Sequence, residues 1–599
     1  MSILEGLVCS NDVKKLKIKE LESLAEELRS EIINTTRNNG GHLASNLGIV
    51  ETTLALYYTF DFPKDKLIFD VGHQCYAHKI LSGRKQRFSS IRTENGLSGF
   101  PDREESEYDS FTVGHAGTSV AAGLGYCAAR DKVGDDYCVI DVVGDGSVSN
   151  GLNLEALTAS TVKPKNYILI LNDNGMSISR NKNGFYSFVS KETTKRGYVS
   201  GKRALKKIFG QSFVTRALAG FRDFIKRIVG KTSYFESFGF KYVGVVDGND
   251  VKELTRILKR VKVVARDKAV LLHVKTTKGK GYKKAEEQAE LYHGVGENLA
   301  CESGSFSVAL GEKLNELIEK DDKVVAITAA MKDGTGLATV EEAHPNNFFD
   351  VGIAEEYAVT LAAGMAAGGL KPIVAIYSTF LQRSYDQIIH DVCLQNLPVI
   401  FCLDRAGLVG KDGKTHQGVF DLSYLSHIPN LTIFAPTTAR ELKDMLDYAL
   451  RLNSPVVIRY PKNEIARNNE KPLNEETWET VLEGDKISVF AVGPRMLNLA
   501  MQLAKNVDGV GVINARRIKP LCEESLLDAK DKLIITLEEN SVIGGFGSAV
   551  SAFFAQKGLA VKIKSFGVKD QFISHGTVES QLNENGLNLE CLTEAIRGI

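Results

Sequence analysis

Apolar runs of strand length alternate with amphipathic stretches of helix length along almost the whole chain. A short apolar run fits a strand covered on both faces, and its alternation with helical patterns fits mostly parallel sheets. The spacing predicts strands at 67–71, 137–143, 167–171, 242–246 and 270–274. A second set is predicted at 324–328, 373–377, 399–403, 431–434 and 456–459, and a third at 487–492, 509–513, 533–537 and 561–565. Leu16, Ile18, Leu21, Leu24 and Leu28 recur at helical spacing, and residues 358–367 read as a helix of small residues. Polar, non-periodic stretches at 283–303 and 461–486 separate the three sets. The expected fold is α/β with three domains, 1–300, 301–475 and 476–599, each a mostly parallel sheet flanked by helices.

Composition narrows the class without naming a function. The chain has 599 residues, 43% hydrophobic and 25% charged, which is ordinary for several globular domains. Lys+Arg and Asp+Glu are both 74, so no global field points to nucleic acid or a membrane surface. Nine cysteines stand singly, without a CxxC pair, which fits a reducing compartment. The first 33 residues lack the apolar core of a signal peptide, and no apolar run is long enough to span a bilayer. The expectation is a cytoplasmic protein with no nucleic-acid or membrane partner. The stretch 181–240 is rich in Lys and Arg interleaved with Phe and Tyr. It reads as a solvated insertion or, more sharply, as a mobile basic cover over a site for anionic substrates.

Two segments carry chemistry. Asp145 follows the run 137–143 and lies between Gly144 and Gly146; at the carboxyl end of a parallel strand, glycines let a phosphate approach the backbone. Asn174 stands just past the next run, one strand–helix–strand unit later, which predicts both residues at one sheet edge. Magnesium takes hard oxygen ligands and shares them with phosphates. Asp145, Asn174 and the carbonyl of Met176 are the candidate ligands. Gly-Asp-Gly alone also reads as a common turn, and the flanking strands favour the site over it. In the second segment, Glu355 sits between an apolar run and the helix 358–367. A first-turn Glu suits the helix dipole. The more specific reading is a carboxylic acid against N1′ of a thiamine aminopyrimidine, where burial favours the neutral, donating form. Together the two segments predict a thiamine-diphosphate enzyme.

Longer blocks join these. Gly41-His42-Leu43-Ala44-Ser45, Asp70-Val71-Gly72-His73-Gln74, Gly114-His115-Ala116-Gly117-Thr118-Ser119 and Ile353-Ala354-Glu355 resemble those of thiamine-dependent transketolase-type enzymes. Tyr377 to Arg383, Asp404-Arg405-Ala406-Gly407 and Asp412 to Gly418 narrow the resemblance to the 1-deoxy-D-xylulose-5-phosphate synthase family, over nearly the whole chain. That resemblance implies a transketolase-like fold and a homodimer with its site between the first two domains of one subunit. It implies a transferase that joins decarboxylated pyruvate to D-glyceraldehyde 3-phosphate, with thiamine diphosphate and Mg2+, as an early step toward isoprenoid precursors. By resemblance Glu355 activates the ring, Ile178 props the cofactor, Phe380 stacks on the pyrimidine and Arg383 lies near it. His73, Lys280, the loop from Gly114 through His115 and Ala116 to Ser119, and Gly146 with Ser147 hold the diphosphate. His42, His416 and Asp412 are the candidates for proton transfer and alkoxide stabilisation. A lone His is more often structural, but the matched motifs favour a catalytic role here. Arg405 and Arg459, with Tyr377, are the candidates for the acceptor's phosphate; for Arg459 a strand-end ion pair is the plainer alternative. The chain departs from the family at Glu356-Tyr357, usually Gln-His, and at Arg180, often acidic. A transketolase, a pyruvate dehydrogenase first component and a catalytically silent scaffold are the rival readings.

Overall fold

A computed structural model describes residues 2–159, 161–175, 234–295, 305–462, 473 and 478–597. Met176, Ile178, Arg180 and nearly all of the basic stretch 181–240 lie outside the described residues. The chain forms two compact units. The first comprises Met1–Asn34, His42–Gln86 and Phe100–His293; the second comprises Thr35–Gly41, Arg87–Gly99 and Gly294–Ile599.

The first unit is built on one five-stranded sheet. Its strands are β1 (Lys66–Phe69), β2 (Val139–Gly144), β3 (Tyr167–Asp173), β4 (Lys241–Asp247) and β5 (Val270–Lys275), in the order β1-β2-β3-β5-β4. All four pairings are parallel. Every residue of β3 is buried, as expected of a central strand with both faces covered. The helix Val251–Ala265 shows why the flanking layer forms. The Asp250 side chain caps it by accepting from Glu253 N at 2.8 Å. Val251, Leu254, Leu258, Val261 and Ala265 recur on one face and are buried.

The second unit holds two sheets. One is seven-stranded: β6 (Val324–Thr328), β7 (Phe348–Asp350), β8 (Lys371–Tyr377), β9 (Ile400–Asp404), β10 (Thr432–Phe434), β11 (Val456–Arg459) and β15 (Arg517–Lys519), ordered β15-β10-β11-β9-β8-β6-β7. The other is β12 (Glu479–Leu482), β13 (Ile487–Ala491), β14 (Val510–Asn514), β16 (Leu533–Ser541) and β17 (Lys562–Val568), ordered β12-β14-β13-β16-β17. Only the edge strands β15 and β12 run antiparallel. The three mostly parallel sheets bear out the expected α/β class. Edge strand β15 comes from the C-terminal third of the chain yet pairs with β10, and Trp478 Nε1 donates to Arg517 O at 2.7 Å. Ile433, Phe490, Ile513 and Phe546 belong to one continuous core, so the second and third sheets are not independently packed. Among the described residues no helix is long and apolar enough to cross a membrane.

Candidate functional site

In the first unit, loops gather at the carboxyl edge of the sheet, where a parallel α/β sheet offers a ligand crevice. Gly144 at the end of β2 is in register with Asn172 on β3. Asp145 and Asn174 therefore leave neighbouring strands at the same edge. Asp145 is 4% exposed. Burial pushes its carboxyl up to about 8, Asp173 pushes it the same way, and Lys278 opposes. The turn beyond it is tight: Ser147 N and Val148 N both donate to Gly144 O at 3.0 Å.

Asp70, just past β1, organises this edge. Its Oδ1 accepts from Gly117 N at 2.9 Å, and its Oδ2 from Ser119 N at 3.0 Å, Ser119 Oγ at 2.9 Å and Asn153 Nδ2 at 3.3 Å. Asn153 Nδ2 also donates to Ser147 O at 2.9 Å. One buried carboxylate thus ties the Gly114–Ser119 loop to the turn after β2. Gly117 has φ 89°, and a Cβ there would lie 2.0 Å from Asn150 Oδ1, so only glycine lets the loop close. Gly114 and Ala116 are buried in this loop and His115 is half-buried.

Three imidazoles form a triangle beside it. Ring centroids are 5.5 Å apart for His42–His73, 5.4 Å for His42–His293 and 5.5 Å for His73–His293. Asn46 Nδ2 fixes two of them by donating to the carbonyls of His42 at 2.6 Å and His73 at 2.7 Å. Burial holds His73 and His293 well below the usual imidazole range, and nearby Lys278 adds to the effect. These rings are neutral at pH 7. His73 Nδ1 is buried without a hydrogen-bond partner. Among the described residues no three His, Cys, Asp or Glu side chains converge as a metal cage. Lys278 is the buried lysine coupled to Asp145, with its ammonium lowered to about 8 by burial. Lys280, the lysine expected at the diphosphate, lies two residues on, where its carbonyl accepts from Arg29 Nε at 3.0 Å.

In the second unit, β7 ends at Asp350, whose Oδ1 accepts from Ala330 N at 2.8 Å and Gly352 N at 3.0 Å. That turn delivers Glu355 as the first residue of the helix Glu355–Ala367. Glu355 is 3% exposed, and its Oε2 is buried without a hydrogen-bond partner. The nearest cation, Arg383 Nη1, is 3.6 Å away. Burial pushes Glu355 up to about 7 against the pull of Arg383. Glu356, the departure from the family pattern, adds a smaller push in the same direction.

Aromatic rings line up nearby: Phe380 is stacked on Tyr377 at 5.9 Å and meets His416 edge-on at 5.5 Å. Arg405 lies 3.8 Å over the Tyr377 ring. Its Nη1 donates to Gly334 O at 2.8 Å and pairs with Asp404 at 2.9 Å, while Ser307 Oγ donates to the other Asp404 oxygen at 2.5 Å. Gly334 is required because a Cβ there would lie 1.8 Å from the Tyr377 hydroxyl. His416 Nδ1 is 2.8 Å from Thr415 Oγ1, and burial lowers the imidazole pKa despite Asp412. Asp412 is paired with Arg92. Arg459 is buried, with Nε on Asp421 at 2.9 Å and Nη2 on Glu539 O at 3.3 Å, so two of its three nitrogens are engaged by the protein.

Each unit brings its own candidates together. Asp70, Asn46, Lys278, His293, Asp404 and Arg92 were not singled out from the sequence. Asp70 and Asp404 stand in recognisable motifs, but no local signal distinguishes a carboxylate that pins a loop from one that meets a ligand.

Comparison with known proteins matches three families in order along the chain. Residues 4–276 match 1-deoxy-D-xylulose-5-phosphate synthase, 303–467 match the transketolase pyrimidine binding domain, and 476–591 match the transketolase C-terminal domain. The chain is 46% identical to the 1-deoxy-D-xylulose-5-phosphate synthase of Clostridium tetani, over 98% of this chain and 97% of that one. It is 47% identical to the protein of that name from Carboxydothermus hydrogenoformans, over 100% and 99%. The like-named Clostridium perfringens protein is 46% identical over 98% of each.

Proposed function

The chain belongs to the 1-deoxy-D-xylulose-5-phosphate synthase family, and we propose that it catalyses the reaction of that name. It condenses pyruvate, with loss of carbon dioxide, with D-glyceraldehyde 3-phosphate. The observation that carries this reading is the end-to-end relationship to synthases of that name. Thiamine diphosphate is the cofactor; bound, it supplies the electron sink that lets pyruvate lose carbon dioxide. Mg2+ as its counter-ion and a cytoplasmic homodimer complete the proposal.

The residues present fit that cofactor. Asp145 and Asn174 offer the hard oxygens that Mg2+ prefers, with room for diphosphate oxygens in its shell. Backbone amides of the loop pinned by Asp70, the neutral histidines and Lys278 suit the diphosphate. Glu355 Oε2, buried and without a hydrogen bond, suits a ring nitrogen that pairs with a carboxylic acid. Phe380 supplies a flat apolar face for the pyrimidine.

The remaining groups act on the substrates. Arg405 is held over the Tyr377 ring by Asp404 and Gly334, which preorganises a guanidinium for a phosphate. His416, engaged at Nδ1 by Thr415, is placed to hydrogen-bond the alkoxide of the acceptor aldehyde and stabilise its charge as it forms. Asp412, paired with Arg92, lies four residues before it on the same loop. The test is an assay of carbon dioxide release and product formation with pyruvate, glyceraldehyde 3-phosphate, thiamine diphosphate and Mg2+. Release that depends on the phosphorylated aldehyde is expected. Release independent of it points to a pyruvate dehydrogenase type of component, and failure to bind the cofactor in calorimetry points to a silent scaffold.

A further inference from the structure

The loop carrying Asp412 and His416 is closed at its base by Gly407 and Gly418, which exchange backbone hydrogen bonds at 2.7 and 2.8 Å. That base rests on the carboxyl end of β16. Leu408 N donates to Glu539 Oε1 at 3.3 Å, Leu422 N to Asn540 Oδ1 at 3.1 Å, and Ser541 N to Val419 O at 2.7 Å. Two glycines of the tip, Gly410 and Gly413, bring no side chain of their own, so there the backbone takes its support from outside the loop.

Gln581 provides it. The helix Val578–Glu584 buries one side chain, and that side chain is polar: Gln581 is 2% exposed. Packing alone would favour Leu or Met there, since a buried amide costs free energy unless its donors and acceptor are met. They are met by the loop. Gln581 Oε1 accepts from Gly410 N at 3.1 Å, and Nε2 donates to Gly410 O at 2.9 Å and to Ser574 O at 2.8 Å. Two residues past Gly410 is Asp412. At Gly413 a Cβ would lie 2.9 Å from His575 N, so the tip is pressed against the segment preceding the same helix.

We propose that Gln581 is a positioning residue for the condensation step. The C-terminal sheet and its helix hold Asp412 and His416 in reacting geometry through the paired hydrogen bonds to Gly410. This rests on the reading of His416 and Asp412 given above. Misplacement by a fraction of an ångström through a lost tether is expected to slow acceptor addition about 10- to 10²-fold.

The test compares Gln581→Met, which keeps length and burial but no hydrogen bonds, with His416→Ala in the full-length holoenzyme. Thiamine diphosphate affinity and pyruvate binding should stay near wild type in Gln581→Met. Product formation with glyceraldehyde 3-phosphate should fall, and amide exchange across 409–416 should speed up. A Met variant that forms product at the wild-type rate overturns the proposal. So does one that loses thiamine diphosphate affinity and product formation equally. If His416→Ala itself forms product normally, the reading of the loop fails, and the positioning role fails with it. A measurement on unaltered protein covers a variant that does not fold: the Gly410 amide should exchange in step with helix Val578–Glu584. Fast exchange at Gly410 beside a protected helix overturns the tether.

Discussion

Two buried carboxylates, one in each unit, are used in opposite ways. Asp70 is 1% exposed and meets four donors, three from Gly117 and Ser119 and one from Asn153. Glu355 is 3% exposed, and one of its oxygens meets none. Burial alone therefore does not tell what a carboxylate is for. A fully satisfied one is a fastener whose free energy goes into loop geometry. An unsatisfied one is costly to bury, shifts toward its neutral form, and is complete only when a ligand donates or accepts there.

Breaking the member with the unpaired oxygen should have the largest effect. Glu355→Ala is expected to lower turnover about 10²–10⁴-fold while the protein still binds inorganic diphosphate with Mg2+; turnover close to wild type would remove Glu355 from ring activation. Breaking the fastener should act on binding. Asp70→Ala strands two backbone amides, a hydroxyl and an amide group, and is expected to weaken thiamine diphosphate affinity by about 10- to 100-fold. It should also lower stability by roughly 2–4 kcal/mol. Calorimetry and denaturant titration check both, and unchanged affinity would erase the distinction drawn between the two residues.

The smallest expected effect sharpens the comparison through pH. Glu355 titrates near 7 in the folded protein, above its ordinary value of 4.5. Between those values the folded protein keeps a proton that the unfolded chain has lost. Glu355 should therefore contribute a loss of stability to the cofactor-free protein as pH rises from about 4.5 to about 7, complete beyond that window. Glu538, also raised to about 7, and Asp145, raised to about 8, contribute in the same direction, so the test is a difference. Glu355→Gln should flatten the slope in that window by a few degrees of melting midpoint and leave stability at pH 4 unchanged. An identical slope in both proteins counts against a buried, unsatisfied Glu355.

Much of the architecture could be read before any coordinates. The all-apolar runs 167–171 and 399–403, which became β3 and β9, were plain, because a strand covered on both faces has few polar positions to confuse its pattern. The edge strands β12 and β15 were missed. Arg517-Ile518-Lys519 carries one apolar residue, and it is a strand because β10 offers it an unpaired edge. Asp145 and Glu355 stood out as candidates by position, each at the end of an apolar run. The sequence did not set Lys278 apart from Lys280, since alternate residues of one basic turn differ only in which of them is buried. Gln581 carried no signal at all.

The sequence by itself determined the order and kind of the elements, because hydrophobic periodicity is a local property. It also determined which loops hold chemically capable residues, because loops at strand ends follow from that order. Only the tertiary structure decided what each of those residues does. Whether Asp70 is satisfied and Glu355 is not, and that Gln581 reaches Gly410, depends on partners distant in sequence, and desolvation and hydrogen bonding act on neighbours in space.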